Sequence, residues 1–507
     1  MLSAWLTAAT AAASADSVLL RVLTINDLHG GLLPRVYSWS GGRPVGGVLA
    51  LKAAIDSAAA ECRCPSVRLD GGDEMQGTLV SNLVHGRSTV AALNRLGIQA
   101  AAVGNHDLDW GVDTLVSRMR EAQYPWLAAN VFDSVTGKRP AWSTPWRTIT
   151  AGPYRIAVIG YITREAKSII KAANVAGLSF RGGRTAIADV LAEAKRTRPD
   201  FTFIVAHAGA RCDSLGCTGE IVDLARQLDS TEVQLIVSGH THTYVNTAVN
   251  GIPIVQARSN GTAWGAADLV ARDDGSRGWK VRVETAYAGG DRGDPALERL
   301  LDAYRPLVDS LADRPVAVMA APLPRSSPDL ALGRLLAETQ RVAAGADVGM
   351  MNSGGIRADL PAGPVTYGQL FEVEPFQNRV LRLTIPGRTL RAVVEHTLGS
   401  GHPAAFAGLV IRSDSTRPPG RRVVDLRLGS GRAVRDGAWY TLGVSDFLAS
   451  GGDGLTMLVG RPTHDTGQYD IDALVAWLRR QPQPVAVPSN GRFIPGRKHE
   501  RIDPRLH

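Results

Sequence analysis

Val18-Leu19-Leu20-Arg21-Val22-Leu23-Thr24-Ile25-Asn26-Asp27-Leu28-His29-Gly30 is the stretch from which the fold is read. Its first part is a run of branched apolar residues, the pattern of a buried strand. Asp27 and His29 stand two apart at the end of that run, and side chains two apart on a strand point to the same side. A carboxylate and an imidazole on one side form half of a metal site. The other half has to come from elsewhere in the chain.

Working outward, the same arrangement recurs. Residues 67–69 form a short strand that ends in Asp70-Gly71-Gly72-Asp73. Residues 100–103 end in Gly104-Asn105-His106-Asp107-Leu108-Asp109, residues 201–205 in Ala206-His207, and residues 235–237 in Ser238-Gly239-His240-Thr241-His242. Helical patterns lie between them, near residues 49–55, 89–96, 185–195 and 220–228. Strands alternating with helices predict a mainly parallel α/β arrangement whose strand C-termini gather ligands at one edge. From 252 to 287 β-like runs replace the helical signals, as if antiparallel strands close the sheet.

Carboxylate, amide and imidazole donors together suit divalent ions of the Mn, Zn or Fe type better than an all-oxygen magnesium site. The donors are too many for one ion, so two ions sharing a carboxylate are expected. Two ions a few ångströms apart acidify a water and clamp phosphoryl oxygens, the chemistry of phosphoester hydrolysis. Glycines 30, 72, 104 and 239 let the backbone turn tightly enough for the donors to converge.

The 507 residues exceed one ordinary core. A hydrophobic content of 44% with 21% charged residues describes a folded globular chain. The net charge of +8 is spread among 48 acidic residues without long like-charge runs, which argues against a nucleic-acid surface. No apolar run is long enough to span a membrane. Residues 1–15 are apolar and end Ala13-Ser14-Ala15, a small-residue cleavage pattern without a positive n-region, so they are a candidate signal peptide and export to a periplasm or medium is expected. The cysteines fall as Cys62/Cys64 and Cys212/Cys217. Cys212 and Cys217 can close a small loop, a Cys62–Cys64 bridge would be strained, and cross-pairing, free thiols or a four-cysteine zinc site stay open.

Residues 295–311 read as a charged helix followed by an Ala/Pro-rich stretch, the expected inter-domain connection. Beyond it the chain is α+β, with Asn352-Ser353-Gly354-Gly355-Ile356-Arg357 after a strand at 347–351. The tail after 481 is expected to be loop.

Asp27-x-His29, Gly72-Asp73, Gly104-Asn105-His106-Asp107, His207 and Gly239-His240-x-His242 resemble the signature of the calcineurin-like metallophosphoesterases. The first and third of these resemble its 5′-nucleotidase branch. Asn352-x-Gly354-Gly355-Ile356-Arg357, Glu374-Pro375-Phe376-x-Asn378 and Asp446-Phe447-Leu448-Ala449-x-Gly451-Gly452-Asp453-Gly454 resemble that branch's C-terminal nucleotide-recognition domain.

The resemblance implies an α/β fold: an N-terminal metallophosphoesterase sandwich of two sheets flanked by helices (residues 16–294), a linker helix acting as hinge (295–318), and a C-terminal α+β 5′-nucleotidase domain (319–507) that rotates to deliver substrate. Asp27, His29 and His242 would hold one metal, Asn105, His207 and His240 the other, with Asp73 bridging. The ions would be drawn from Mn, Zn, Fe, Co or Mg. His106 and Asp109 would form a catalytic dyad, with a bridging hydroxide as nucleophile. Arg357 would clamp the phosphate. Asn352, Phe447 and Asp453 would hold the nucleoside, Phe447 by stacking. Two departures stand out: His242 replaces a frequent Gln, and Phe406 stands a few positions from where a second stacking ring is expected, so one-sided stacking is predicted. The implied activity is phosphate release from nucleoside 5′-monophosphates by a monomer or homodimer. The alternatives are a 2′,3′-cyclic nucleotide phosphodiesterase/3′-nucleotidase, a UDP-sugar diphosphatase, or more remotely an inactive nucleotide-binding surface protein.

Overall fold

A computed structural model describes residues 17–272, 274–289, 293–487 and the strand Phe493–Pro495. The candidate signal peptide lies outside the described residues. In chain order the N-terminal strands are β1 (Ser17–Ile25), β2 (Ser66–Asp70), β3 (Ala100–Ala102), β4 (Trp126–Leu127), β5 (Trp146–Ala151), β6 (Tyr154–Ile162), β7 (Phe201–His207), β8 (Leu235–Ser238), β9 (Tyr244–Val249), β10 (Ile252–Ala257), β11 (Ala263–Ala271) and β12 (Arg277–Thr285).

They form two six-stranded sheets, ordered β12-β11-β1-β2-β3-β4 and β9-β10-β8-β7-β6-β5. Parallel pairs occupy the middle: Thr24 lies beside Leu69, and Phe203 beside both Val158 and Leu235. Of the antiparallel closing strands expected after 252, β11 and β12 close the first sheet, with β11 pairing with β1, Val22 opposite Ala267, whereas β10 joins the second sheet in parallel beside β8 and carries antiparallel β9 at the edge.

β1 shows why this chain packs so. Leu20 and Val22 face the inter-sheet core with Val67, Leu69, Val158, Phe203 and Val237. Leu23 and Ile25 face the opposite way, onto a layer containing α1 (Val48–Cys62) and α2 (Arg87–Leu96). Period-two alternation with both faces apolar is what a strand buried between two layers requires. The second sheet is covered by α3 (Ala188–Arg196) through Val190, Leu191 and Ala194. The four layers leave the strand ends as the natural place for polar side chains.

The helix expected at 295–311 is α4 (Pro295–Ala312), opened by Asp294, whose carboxylate accepts from the amides of Ala296 and Leu297. Beyond it, β13 (Val348–Asn352), β14 (Arg379–Pro386), β15 (Ala404–Ala407), β16 (Trp439–Ser445) and β17 (Thr463–Tyr469) form a sheet ordered β15-β13-β16-β14-β17. Helices α5 (Ala331–Ala344), α6 (Gly387–Thr397) and α7 (Asp470–Arg480) cover it. The tail is not all loop, because Phe493–Pro495 pairs in parallel with Leu409–Ser413 in a small three-stranded sheet.

The cysteines pair with their sequence neighbours. Arg63, following the last residue of α1, adopts a left-handed conformation (φ 52) that turns the chain back and brings Cys62 and Cys64 within 5.1 Å at Cα. Cys212 and Cys217 face each other across a two-stranded hairpin, 4.0 Å apart at Cα. All four thiols are consumed, so the cross-pairing, free-thiol and four-cysteine zinc readings fall. Among the described residues no helix is long and apolar enough to cross a membrane.

Candidate metal centre and nucleoside pocket

The C-terminal ends of β1, β2, β3, β7 and β8 converge, and each brings donors. The loops after β1 and β2 are zipped by backbone bonds: Asp27 N–H to Gly72 O, His29 N–H to Asp73 O and Gly30 N–H to Glu74 O. That register places Asp27, His29, Asp73 and His242 so that one donor atom from each lies within 4.8 Å of the others. His29 Nε2 is 3.0 Å from His242 Nε2 and 3.7 Å from Asp73 Oδ2, and His242 Nε2 is 3.2 Å from Asp27 Oδ1. On the other side of Asp73, its Oδ2 is 3.0 Å from His207 Nε2, which is 3.1 Å from Asn105 Oδ1. The His240 ring lies 5.1 Å from that of His207. All seven expected ligands are thus brought together, with Asp73 central.

These residues fit divalent cations for three physical reasons. Backbone carbonyls fix the imidazole tautomers: His29 Nδ1–H donates to Gln76 O and His207 Nδ1–H to Gly71 O, which turns both Nε2 lone pairs toward the cluster. Burial, opposed only in part by Asp73, keeps His29, His240 and His242 neutral, with His240 brought down to about 3. His207 goes the other way. Burial lowers it, but the charge and hydrogen bond of Asp73 outweigh burial and push it up to about 9, so this spot favours a positive charge. Finally, Asp27, His29, Asp73, His240 and His242 all have left-handed backbones, φ 50 to 80. Such conformations cost a non-glycine residue about 1–3 kcal/mol each, and strain of that kind persists where the surroundings over-determine it.

His106 stands beside this cluster, its ring 5.3 Å from that of His29. Its amide donates to Asp73 Oδ1 (2.8 Å) and its Nδ1 to Asp109 Oδ2 (2.7 Å). The dyad expected from the sequence is therefore formed and tied to the central carboxylate. Gly104 allows the approach: a Cβ there would fall 2.0 Å from Asp73 Oδ1.

The C-terminal half reaches the same place. Arg357 Nη2 is 3.2 Å from His29 Nε2 and 3.5 Å from His242 Nε2. Phe376 packs its ring 5.4 Å from His106, and Pro375 O accepts from Gln76 Nε2 and Asn82 Nδ2. Arg35–Glu372 (2.6 Å) and Lys171–Asp446 (3.2 Å) add ion pairs between the halves. Further along, Asn352 Nδ2 donates to Asp453 Oδ2 at 2.8 Å, and Asp453 is also left-handed (φ 52). The Phe447 ring lies against Gly452, where a Cβ would come within 2.5 Å of it. Phe406 sits on β15 directly opposite Met350 of β13, hence on the same face as Asn352, and both Phe406 and Phe447 border one apolar cluster.

Three groups escaped sequence reasoning. Asp107 accepts four backbone amides: Glu74 and Met75 at Oδ1, Asp73 and Gly104 at Oδ2. Its place inside Gly104-Asn105-His106-Asp107 was the available signal. Arg325, whose Nη1 donates to Arg357 O at 3.1 Å, and Arg211, in the disulfide-closed hairpin, carried none.

This two-sheet sandwich with a two-sided donor cluster at its strand ends defines a metallophosphoesterase. A family model for calcineurin-like phosphoesterase matches residues 20–244, and one for the 5′-nucleotidase C-terminal domain matches residues 315–460. The chain belongs to the calcineurin-like phosphoesterases, in the branch that carries the 5′-nucleotidase C-terminal domain. It is 28% identical to a 5′-nucleotidase of Vibrio vulnificus over 92% of this chain and 91% of that one. It is 27% identical to Endonuclease YhcR of Bacillus subtilis over 94% of this chain, and spans 41% of that relative's length. Among solved structures it resembles a 5′-nucleotidase precursor from Thermus thermophilus, with a TM-score of 0.83 and 26% identity over 95% of this chain and 100% of that one.

Proposed function

We propose that this protein releases phosphate from nucleoside 5′-monophosphates, using two divalent ions held by Asp27, His29 and His242 on one side, by Asn105, His207 and His240 on the other, and shared at Asp73. The observation that carries the reading is the position of Arg357. A guanidinium from the half that holds Asn352, Phe447 and Asp453 meets the imidazoles of the metal cluster, so one small anion would touch both. Relatives named 5′-nucleotidase, aligned over most of both chains, support it.

Bound ions would acidify a water and neutralise phosphoryl oxygens. The chain's own residues do the rest. Arg357 offers two parallel N–H donors to the phosphoryl group. His106, its Nδ1–H held by Asp109, keeps Nε2 for the charge that develops as the ester bond breaks. Phe447 and Phe406 flank the base, and Asp453, oriented by Asn352, accepts from the ribose. Stacking is worth about 1–3 kcal/mol per base. Residues 319–507 turn about the linker at 295–318, which begins with α4 (Pro295–Ala312), to exchange substrate, and this requires the Pro375, Arg35–Glu372 and Lys171–Asp446 contacts to open. Residues 1–15 direct export, consistent with two disulfides.

The test is phosphate release from AMP by metal-verified protein. Asp73→Ala and His106→Ala each remove it while the melting curve stays cooperative; undiminished turnover by either variant at full metal content sinks the reading.

A further inference from the structure

A segment that carries none of the expected ligands reaches both loops that do most of the ligating. It begins at the end of β10 and runs Gln256-Ala257-Arg258-Ser259-Asn260. Toward the loop after β1, the Ala257 amide donates to Asn26 Oδ1 (2.6 Å), and Asn26 Nδ2 donates to Arg258 O (2.7 Å) and to Asp27 Oδ2 (2.6 Å). The Asn260 amide donates to Asp27 O (2.7 Å). Toward the loop after β8, the Arg258 amide donates to Thr243 O (3.1 Å).

The Gln256 side chain holds that second loop from inside the protein. It is fully buried. Its Nε2 donates one hydrogen to Thr241 Oγ1 (2.9 Å) and the other to Thr243 O (3.0 Å), while its Oε1 accepts from the Ser238 hydroxyl (2.9 Å). The Thr243 carbonyl can only accept, so it fixes which end of the amide faces it. The hydroxyls of Thr241 and Thr243 are then free to donate to Ala210 O (2.8 and 2.7 Å), three residues beyond His207. Every hydrogen of this knot has a partner, as a buried polar group requires.

Ser238, Thr241 and Thr243 alternate along the chain with Gly239, His240 and His242. Both imidazole residues have left-handed backbones, φ 80 and 56, which a loop left to itself would abandon. We infer that Gln256 is a positioning residue for the metal centre: by holding Thr241 and the Thr243 carbonyl it keeps His240 and His242 in the conformations from which they reach the two ion positions beside Asp73. It touches neither ion nor substrate. One loop donates to both ions, so losing its anchor weakens both. The inference rests on the ligand assignment made above and not on the choice of nucleotide.

The test is calorimetric binding of Mn2+ alone, and of Zn2+ alone, to chelator-stripped, disulfide-intact protein. Gln256→Met keeps the length of the side chain and removes its hydrogen bonds; the dissociation constants are expected to rise about 10–100-fold. Thr243→Val removes only the hydroxyl and leaves the carbonyl that Nε2 holds, so a rise below about threefold is expected. The melting temperature of the stripped protein separates positioning from packing: a Gln256 that only fills the core lowers it and leaves ion affinity unmoved. Should Gln256→Met not fold, Gln256→Asn, which keeps the amide but draws it back by one methylene, carries the same expected loss. Ion affinity within about threefold of wild type in the folded Gln256 variant overturns the inference. So does an equal loss in Thr243→Val, or wild-type protein that binds neither ion. If the ions bind and the Gln256 variant loses them while AMP is not hydrolysed, the nucleotidase reading fails and the positioning role stands.

Discussion

Asp107 offers the sharpest perturbation, because the change is a single atom and the geometry leaves no escape. Each carboxylate oxygen accepts two backbone amides: Oδ1 from Glu74 (3.0 Å) and Met75 (3.2 Å), Oδ2 from Gly104 (2.9 Å) and Asp73 (3.2 Å). Burial lifts its acid only to about 6, so at pH 8 the group is ionised and all four bonds are charge-assisted. In Asp107→Asn, either amide flip must set an NH2 group against two N–H donors. Two bonds are lost, each worth about 1.5–3 kcal/mol, so a loss of about 3–6 kcal/mol is expected. That is a large part of a typical stability of about 5–15 kcal/mol. The loops it ties carry Asp73 and Asn105, so metal retention should fall with stability. The assay is urea unfolding at pH 8 followed by tryptophan fluorescence, with metal content by mass spectrometry on the folded protein. A midpoint unchanged within error, with a full metal complement, would refute the claim that this carboxylate organises the site.

Further outcomes follow from other contacts. Gly104→Ala places a Cβ 2.0 Å from Asp73 Oδ1 and 2.3 Å from its amide nitrogen, so Asp73 must move; phosphate release should fall at least ~100-fold in a protein whose circular dichroism is unchanged. Removing metal with a chelator should lower the melting temperature, because ligands in left-handed conformations lose the ions that hold them; with ions at a hundred times their dissociation constant the stabilisation lost is about 2.7 kcal/mol, and a melting curve indifferent to chelation contradicts this. Asp470, buried in the C-terminal half, is raised by that burial from 3.8 to about 7. The folded state therefore binds more protons than the unfolded one across that interval, and stability is greatest below about pH 4 and lost as pH rises through about 7, by at most about 4 kcal/mol. Asp470→Asn should flatten that decline relative to wild type; parallel pH profiles of melting temperature would show that Asp470 does not cause it.

What the sequence reveals here follows from how local each signal is. Each ligand-bearing loop follows its own strand, and each strand is a contiguous apolar run, so the donors after residues 25, 70, 102, 205 and 238 can be read one at a time. The division of the strands between two sheets cannot be read so. It depends on β11, an alanine-rich strand that returns past the second sheet to pair with β1, and on β4, only two residues long. Phe406 is legible as an aromatic, but the strand face it shares with Asn352 is not, because that face is set by the register of β15 on β13. The Cys62–Cys64 bridge depends on one left-handed residue, Arg63, which no spacing rule supplies. Arg325 reaches the Arg357 carbonyl from a distant segment, and among 56 basic residues nothing local marks it.

The donors that surround Asp73 come from segments spread between Asp27 and His242, and from both sheets. During synthesis, therefore, the first and last ligands are made 215 residues apart, a delay of roughly 10–40 s at ordinary elongation rates. No early fragment can present the complete set, so ion capture must follow the docking of the two sheets instead of seeding it. A loaded centre is thus a certificate that the whole N-terminal sandwich has assembled, and metal uptake can serve as a clock for the end of its folding.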